Sequence, residues 1–443
     1  MPSRGDQRAR PARWVAVCVL ALLIGSDYKL RVRPDDQTIS GNPDPFILLE
    51  IGVYAVVAAF LVLRLDRLPR VRRGGPVQFL AGALVMVMVI GVTYSPYPML
   101  AAVRALEMLV VLGLSASIAR RRDRAALHGL AHAFAVLVAG SVVLGVVLPL
   151  PRFQQQQDRF TWLRMHPVVA GVYLGLAVVI LVGYVLSDAA DRPGPRWPRP
   201  VYLCLLVLTV AALVATKTRG AAFGAVLGCL VVVWSTRRGR RRVDFAALAV
   251  TAGAAVALAA ASAVGSFVAR GEGADKLATL NSRTDLWLAA WNLFRDQPLY
   301  GYGLGASRGL FLDTLGLGGG HNALVNVLVD LGLLGAAVWL ALVVGIVVTA
   351  VRVPVHLTGA AADRALLLGL MAFLIADSVF FEGLGAAANV ASTWMFVVVA
   401  WLAVLRQGEV LPPPPQLRRL HQSPRIHLPP RRTRLQPPPG SNR

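Results

Sequence analysis

Charged residues are scarce in this 443-residue chain, where they make up 15% of the sequence against 56% for hydrophobic residues. A soluble domain needs more polar surface than this to cover its core, so the composition excludes a soluble globular protein. Cysteine is almost absent, and its three copies, Cys18, Cys204 and Cys229, lie inside apolar runs without paired spacing. The sequence therefore predicts neither disulfide bonds nor a structural zinc site.

The sequence contains many long apolar runs. At a rise of about 1.5 Å per helical residue, most of them can cross a hydrocarbon layer roughly 30 Å thick. They are continuous, without the alternating polarity of membrane β-barrels. We therefore predict an all-α, polytopic membrane protein with about twelve transmembrane helices. The predicted helices cover residues 14–24, 46–63, 77–93, 99–118, 127–148, 167–186, 201–215, 221–234, 245–264, 325–351, 365–380 and 393–405.

Positive charge is abundant, with a formal net charge of +22, but its placement argues against nucleic-acid binding. Most Lys and Arg residues cluster in every second loop, as at 120–124 and 237–242, instead of on one surface. Cytoplasmic loops carry such an excess, so we predict a multi-pass protein of the cytoplasmic (inner) membrane with both termini in the cytoplasm. The first apolar run follows an arginine-rich segment but lacks a convincing cleavage site, so we interpret it as an anchor.

Composition divides the chain into two parts. Residues 1–405 form the predicted membrane domain, whereas residues 406–443 are rich in proline and arginine and cannot bury a core. We expect this second part to be a disordered cytoplasmic tail on anionic lipid headgroups. Three loops on the predicted outer side are long, at 26–45, 149–166 and 265–322, and functional residues are expected there.

The outer loop 265–322 contains a helical pattern followed by glycines. Apolar residues at helical spacing follow a capping-box pattern at Ser282 and Asp285, which predicts a short amphipathic helix on the outer membrane interface. The glycines that follow Pro298 predict a mobile linker that ends at His321. The Gly-x-Gly-x-Gly pattern in this linker does not indicate a dinucleotide site, because no strand precedes it.

His321 and Asn322 stand where this linker meets the apolar run that begins near Val325. The positive end of that helix favours a neutral imidazole, which is the form that accepts a proton. His321 is therefore a candidate general base. Its position supports an interfacial helix cap equally well.

Two cations, Lys217 and Arg219, occupy a tight hairpin on the predicted outer side, where positive charge is otherwise depleted. Arginine binds phosphate oxygens in a bidentate manner, so an anion pocket is one interpretation. Snorkelling anchors are the other. Arg159, Arg164 and His166, in the preceding outer loop, either add cations to the same pocket or are solvated, and we expect solvation for Arg159.

Several charged residues fall at or inside predicted spans. Arg104 and Glu107 are three residues apart on one helix, which predicts a mutually satisfied ion pair. Glu50, Asp330 and Asp377 are interpreted as acids that pack against polar partners.

Motifs between residues 159 and 342 form one ordered pattern. They are Arg164-Met-His-Pro-Val-Val-Ala, Thr218-Arg-Gly-Ala, Ser282-Arg-Thr-Asp-Leu-Trp, Pro298-Leu-Tyr-Gly-Tyr-Gly-Leu-Gly, His321-Asn and Asp330-Leu-Gly-Leu-Leu-Gly. The pattern resembles the O-antigen ligase and polymerase family of bacterial membrane glycosyltransferases. The turn at Thr218 has threonine where the family has serine, and the first motif lacks the asparagine that many members carry after the proline.

The resemblance implies a glycosyltransferase fold of the C class and metal-independent, inverting transfer without a cofactor. The donor would be a polyprenyl-pyrophosphate-linked glycan, and the acceptor a glycan or lipid-linked glycan in cell-surface polysaccharide assembly. The resemblance makes His321 the general base for the acceptor hydroxyl, with Arg219 and Arg283 binding the donor pyrophosphate. Further substrate-binding candidates are Lys217, Arg164, His166 and Asn322.

Two alternatives stay open. Ligases and polymerases share these motifs, so the sequence does not separate transfer of a finished glycan from the joining of repeat units. The rival from another class is a transporter or flippase of lipid-linked glycans. Such proteins usually show inverted repeats and broken helices around a midplane site, and the sequence indicates neither.

Overall fold

The computed structural model describes residues 12–31, 37, 39, 44–64, 75–148, 150, 158–187, 193–237, 283–316, 318–354, 359–385 and 387–408. In these ranges the chain folds into helices without a strand, which confirms the predicted fold class. The predicted helix at 245–264 and the predicted disordered tail beyond residue 408 lie outside the described residues.

The helices follow one another with short connections. In chain order they are α1 (Trp14–Asp27), α2 (Pro45–Val62), α3 (Pro76–Gly91), α4 (Pro98–Arg121), α5 (Arg124–Val147), α6 (Pro167–Leu186), α7 (Arg199–Ala215), α8 (Arg219–Thr236), α9 (Arg283–Asp296), α10 (Ala306–Leu315), α11 (Ala323–Val351), α12 (Ala360–Ser378) and α13 (Val390–Gly408). Proline occupies the first turn of α2, α3, α4 and α6, where its missing N–H breaks no helical hydrogen bond.

Eight helices in the described part of the chain are long and apolar enough to cross a membrane, so the chain is an integral membrane protein. These helices are α2, α3, α4, α5, α6, α8, α11 and α13. Helices α1 and α7 are apolar but shorter, and α12 carries Asp363, Arg364 and Asp377. The predicted number of about twelve spans is not confirmed.

Helices α6, α8 and α12 pack closely together because glycines line their contacts. A Cβ atom on Gly228 of α8 would lie 2.8 Å from the carbonyl oxygen of Gly369 on α12. Phe373 of α12 fills the space beside Gly175 of α6 and Gly224 of α8. Small residues let helix backbones approach in this way within membranes. The α6–α8–α12 unit carries the candidate site at one end.

Helix α11 is broken at Gly332, whose φ of 62° and ψ of −163° are not helical. The segment after α9 bonds to the freed backbone groups: Tyr302 donates its N–H to the carbonyl of Val329 at 2.9 Å, and Leu333 donates to Pro298 at 2.9 Å. Irregular backbone at membrane depth is stable only when its polar groups are satisfied in this manner. The expectation that no helix is broken is therefore wrong.

The glycine-rich stretch between α9 and α11 is not the predicted mobile linker. Its middle folds into α10, which Asp330 caps by accepting N–H groups from Gly305 and Ser307 at 3.1 and 2.6 Å. The ring of Tyr97 lies directly against Gly309, where a side chain would collide with it. The glycines serve close packing here, so the stretch is fixed against α11 and against the start of α4.

Candidate active site

Residues 216–220, which run from the end of α7 into the first turn of α8, are named the Arg219 turn. Lys217 has a left-handed φ of 51°, which costs a non-glycine residue roughly 1–2 kcal/mol. Its Nζ lies 2.6 Å from Oδ2 of Asp158, and this contact lowers the pKa of Asp158 below its usual value. Arg219 is partly buried and begins α8, so it lies at the positive end of a helix.

The side chain of Arg159 binds the Arg219 turn through two hydrogen bonds. It is 9% exposed, so the expectation of a solvated residue is wrong. Its Nε donates to the carbonyl of Thr216 at 2.8 Å, and its Nη2 donates to Oγ1 of Thr218 at 3.0 Å. Thr218 in turn donates to the carbonyl of Pro167 at 3.1 Å. These bonds fix the turn against the start of α6.

Arg164 and His166 lie just before α6 and therefore beside the Arg219 turn. The backbone N–H of Arg164 donates to the carbonyl of Lys29 at 3.1 Å. His166 is exposed and caps α6, because its Nδ1 accepts the N–H of Val168 at 3.2 Å.

Residues 319–322, named the His321 turn, lead into α11. His321 has a left-handed φ of 48°, and its backbone N–H donates to Oε2 of Glu382 at 3.1 Å. Asn322 is the residue that caps α11, since its Oδ1 accepts the N–H of Val325 at 3.1 Å. The interpretation of His321 as the helix cap is therefore wrong, and its imidazole is partly exposed.

One short segment after α12, residues 379–382, contacts both turns. The carbonyl of Val379 accepts a hydrogen bond from Nδ2 of Asn322 at 3.2 Å. The Cβ of Phe380 lies 2.6 Å from the place of a Cβ on Gly220, the residue after Arg219. The segment therefore brings the Arg219 turn and the His321 turn to the same end of the helix bundle.

Arg283 begins α9, which confirms the predicted helix in this loop, and the Arg283 side chain lies outside the described atoms. Leu286, one turn later, belongs to a cluster with Phe311 and Val325. A Cβ on Gly320 would lie 3.3 Å from the ring of Phe311. The start of α9 is therefore close to the His321 turn.

Arg104 and Glu107 do not form the predicted ion pair. Arg104 turns toward α10, with its Cδ 3.4 Å from the place of a Cβ on Gly305, while Glu107 lines a groove toward α2. The Nε of Arg104 is buried and has no hydrogen-bond partner among the described residues. Arg104 therefore reaches α10 and Glu107 faces α2, so the two side chains do not meet.

The other intramembrane acids give mixed outcomes. Glu50 binds Nζ of Lys29 at 2.7 Å, and Asp330 caps α10, as expected of acids with polar partners. Asp377 is buried, and its Oδ1 has no hydrogen-bond partner in the described part of the chain, so the expectation is wrong for this residue.

Glu382 was not predicted from the sequence, and the burial of Arg159 was not expected. Glu382 follows an apolar run on the predicted outer side, and this position was the available signal for it. Among the described residues, no group of three His, Cys, Asp or Glu side chains is placed to hold a metal ion.

Residues 204–340 match a family model described as O-antigen ligase. The matched range contains Arg219, Arg283, His321 and Asn322, and it begins after Arg164 and His166. No curated protein matches the chain. The family match confirms the resemblance that the motifs indicate: residues 204–340 of this integral membrane protein are similar to the O-antigen ligase family.

Proposed function

We propose that the chain is a glycosyltransferase that moves a glycan from polyprenyl pyrophosphate to an acceptor hydroxyl at the outer face of the cytoplasmic membrane. The match of residues 204–340 to the O-antigen ligase family model supports ligase- or polymerase-type function in general. The finer proposal depends on one observation: residues 379–382 contact both the Arg219 turn and the His321 turn. A helix-start cation and a partly exposed imidazole thus share one end of the bundle.

In the proposed reaction, His321 accepts the proton of the acceptor hydroxyl while the hydroxyl oxygen attacks the anomeric carbon. The bond between that carbon and the pyrophosphate oxygen breaks on the opposite face, so the configuration inverts. Polyprenyl pyrophosphate leaves with both electrons of the bond, and Arg219 and Arg283 stabilise its charge. Pyrophosphate is a good leaving group, so arginines supply the stabilisation that a metal ion supplies elsewhere.

The remaining candidates take supporting roles in this proposal. Asn322 caps α11 and so orients the residue before it. Lys217 already contacts Asp158, so it adds positive potential to the donor site without being a principal ligand. Arg164 and His166 stand at the start of α6, where they extend the cationic surface beside Arg219.

The histidine assignment is tested with His321→Asn. Asparagine tolerates the left-handed backbone that His321 adopts, so the turn keeps its shape while the base is lost. We expect transfer to fall about 100- to 10,000-fold, with donor binding unchanged. Transfer is measured in liposomes that contain the purified chain, a labelled lipid-linked glycan and an acceptor. Full activity of His321→Asn would remove the base assignment.

The broken helix α11 favours the transporter alternative in one respect, because transporters use such breaks. Here, however, backbone groups freed by the break bond to the segment after α9. The same liposomes separate the two functions: a new glycosidic linkage supports the enzyme, and movement of the lipid-linked glycan without linkage supports a carrier. Offering a lipid-linked repeat unit and a different glycan acceptor in parallel separates a polymerase from a ligase.

A further inference from the structure

Glu382 has no assigned role, yet its carboxylate is fitted to the His321 turn. Its Oε2 accepts the backbone N–H of His321 at 3.1 Å. The carboxylate also occupies the space where a Cβ of Gly319 would be, so only glycine allows this approach. A carboxylate that accepts a backbone N–H makes a stronger hydrogen bond than a neutral acceptor does.

The His321 turn needs such a support. His321 holds a left-handed φ of 48°, which a non-glycine residue keeps only where its surroundings determine it. The N–H of the preceding Gly320 donates to Oδ1 of Asn326 at 2.8 Å, and Asn322 caps α11. The N–H of His321 itself is held by Glu382. Glu382 thus supports the turn from a different helix connection, the one that follows α12.

The same connection holds the Arg219 turn. Phe380, two residues before Glu382, packs against Gly220, and the carbonyl of Val379 accepts the side-chain N–H of Asn322. The segment 379–382 therefore fixes the spacing between the helix start that carries Arg219 and the turn that carries His321. In an inverting transfer the base and the leaving-group cations act on opposite faces of one sugar, so this spacing matters for the rate.

We propose that Glu382 is a positioning residue that holds the His321 turn at the distance from Arg219 that glycosyl transfer requires. The inference rests on the proposed function. Glu382 acts through the backbone of His321 and contacts no substrate. Loss of the hydrogen bond lowers the rate of the chemical step and leaves donor binding intact, because Arg219 and its turn are held by separate contacts with Arg159.

The test compares Glu382→Ala, Glu382→Gln and Gly319→Ala in the full-length chain reconstituted with labelled polyprenyl-pyrophosphate glycan and acceptor. We expect Glu382→Ala to lower kcat about 10- to 100-fold, with the donor KM nearly unchanged. Glu382→Gln keeps an acceptor oxygen of the same reach, so it restores most of kcat. Gly319→Ala displaces the carboxylate and also strains the backbone at a φ of 149°, so it lowers kcat at least as much as Glu382→Ala does.

Asp296→Ala is the matched control, since Asp296 is an exposed acid on the same predicted outer side, at the end of α9, and belongs to neither turn. It keeps the kcat of the unaltered chain. All rates are divided by the amount of protein that binds donor, so a variant that merely folds poorly does not register as a slow enzyme. A purely structural role would lower that amount without changing the corrected kcat.

Three outcomes overturn the proposal. Glu382→Ala with unaltered kcat, alongside an inactive His321→Asn, rejects the positioning role and leaves the proposed function standing. An equal loss in Glu382→Gln and Glu382→Ala shows that the negative charge, and not the hydrogen bond, is required. Absence of transfer by the unaltered chain with every acceptor rejects the proposed function and this inference together.

Discussion

His321 and Lys217 both hold left-handed backbone conformations, and each has an acidic partner from a distant part of the chain. Strain of this kind costs roughly 1–3 kcal/mol per residue and persists where the surrounding structure enforces it. Glu382 binds the backbone of His321, whereas Asp158 binds the side chain of Lys217. The first contact fixes a turn, and the second engages a cation, so the two residues are placed for different tasks.

Arg219 is expected to bind the donor directly. Arg219→Ala should weaken binding of polyprenyl pyrophosphate about 10- to 100-fold, because each hydrogen bond to a charged group contributes roughly 1.5–3 kcal/mol. Arg219→Lys keeps the charge but loses the bidentate geometry, so its donor affinity should lie between that of the unaltered chain and that of Arg219→Ala. Affinity is measured by titrating the purified protein with labelled polyprenyl pyrophosphate.

Arg237→Ala provides the control for this prediction. Arg237 is exposed at the other end of the same helix, α8, where a change of charge is far from the Arg219 turn. The Arg237→Ala variant should therefore bind the donor with the affinity of the unaltered chain. If both variants lost affinity equally, a general loss of positive charge would explain the effect and the direct role of Arg219 would be rejected.

The sequence was sufficient to predict His321 and Arg219 as candidates, because the chemistry restricts which residue types serve and the hairpin forces Arg219 to one membrane face. It could not predict Glu382, which lies 61 residues from its partner His321. That contact depends on how α11 and α12 pack, and no local pattern encodes it. Arg159 was misjudged for the same reason, since its partners Thr216 and Thr218 are on a different hairpin.

The course of α11 depends on a single residue, Gly332. Gly332→Ala should lower stability, because the left-handed φ of 62° costs alanine about 1–3 kcal/mol and the new Cβ would collide with the backbone of Leu299. The segment after α9, which fills the break, would be displaced with it. We expect a lower apparent Tm in detergent and reduced transfer.

Gly345→Ala serves as the comparison on the same helix. A Cβ on Gly345 meets its nearest neighbour, Leu80, at 3.4 Å, which is an ordinary contact. This variant should keep the Tm of the unaltered chain. Equal Tm values for Gly332→Ala and Gly345→Ala would contradict the claim that the break is an enforced feature of the fold.

Most described helices were predictable because apolar runs of sufficient length leave few alternatives in a membrane protein. The break in α11 was not, since an isolated glycine in an apolar helix usually leaves the helix intact. Helix α10 was not predicted because its glycines suggested mobility. In the structure, the ring of Tyr97 packs directly against Gly309, and a side chain there would collide with it. Glycine patterns alone do not distinguish close packing from flexibility.

At the scale of the whole molecule, α12 shows how the helix bundle accommodates buried charge. Asp363 is fully buried, but it accepts hydrogen bonds from Nε of Arg124 at 2.6 Å and from Nε1 of Trp401 at 3.0 Å, with Nε2 of His128 3.0 Å away. A hydropathy average treats such a carboxylate as if it faced lipid. Inside the bundle its partners come from neighbouring helices, so a charged helix can lie at the centre of the fold.

The orientation of the whole molecule decides on which side of the membrane the proposed site lies. Arg237 begins the arginine cluster 237–242, and such clusters resist transfer across the membrane, so the end of α8 that carries Arg237 should be cytoplasmic. The Arg219 turn is at the other end of α8, and α9 lies beside the His321 turn. Asp296 at the end of α9 should therefore be outside the cell.

Single cysteines test this arrangement once Cys18, Cys204 and Cys229 are replaced by alanine. In intact cells, a membrane-impermeant maleimide should label the Asp296→Cys variant and not the Arg237→Cys variant. In permeabilised cells, both variants should be labelled. Labelling of Arg237→Cys in intact cells would show that the protein has the opposite orientation, with the His321 turn in the cytoplasm. A lipid-linked glycan displayed on the outer face would then be out of reach, so this one measurement constrains the orientation and the proposed reaction together.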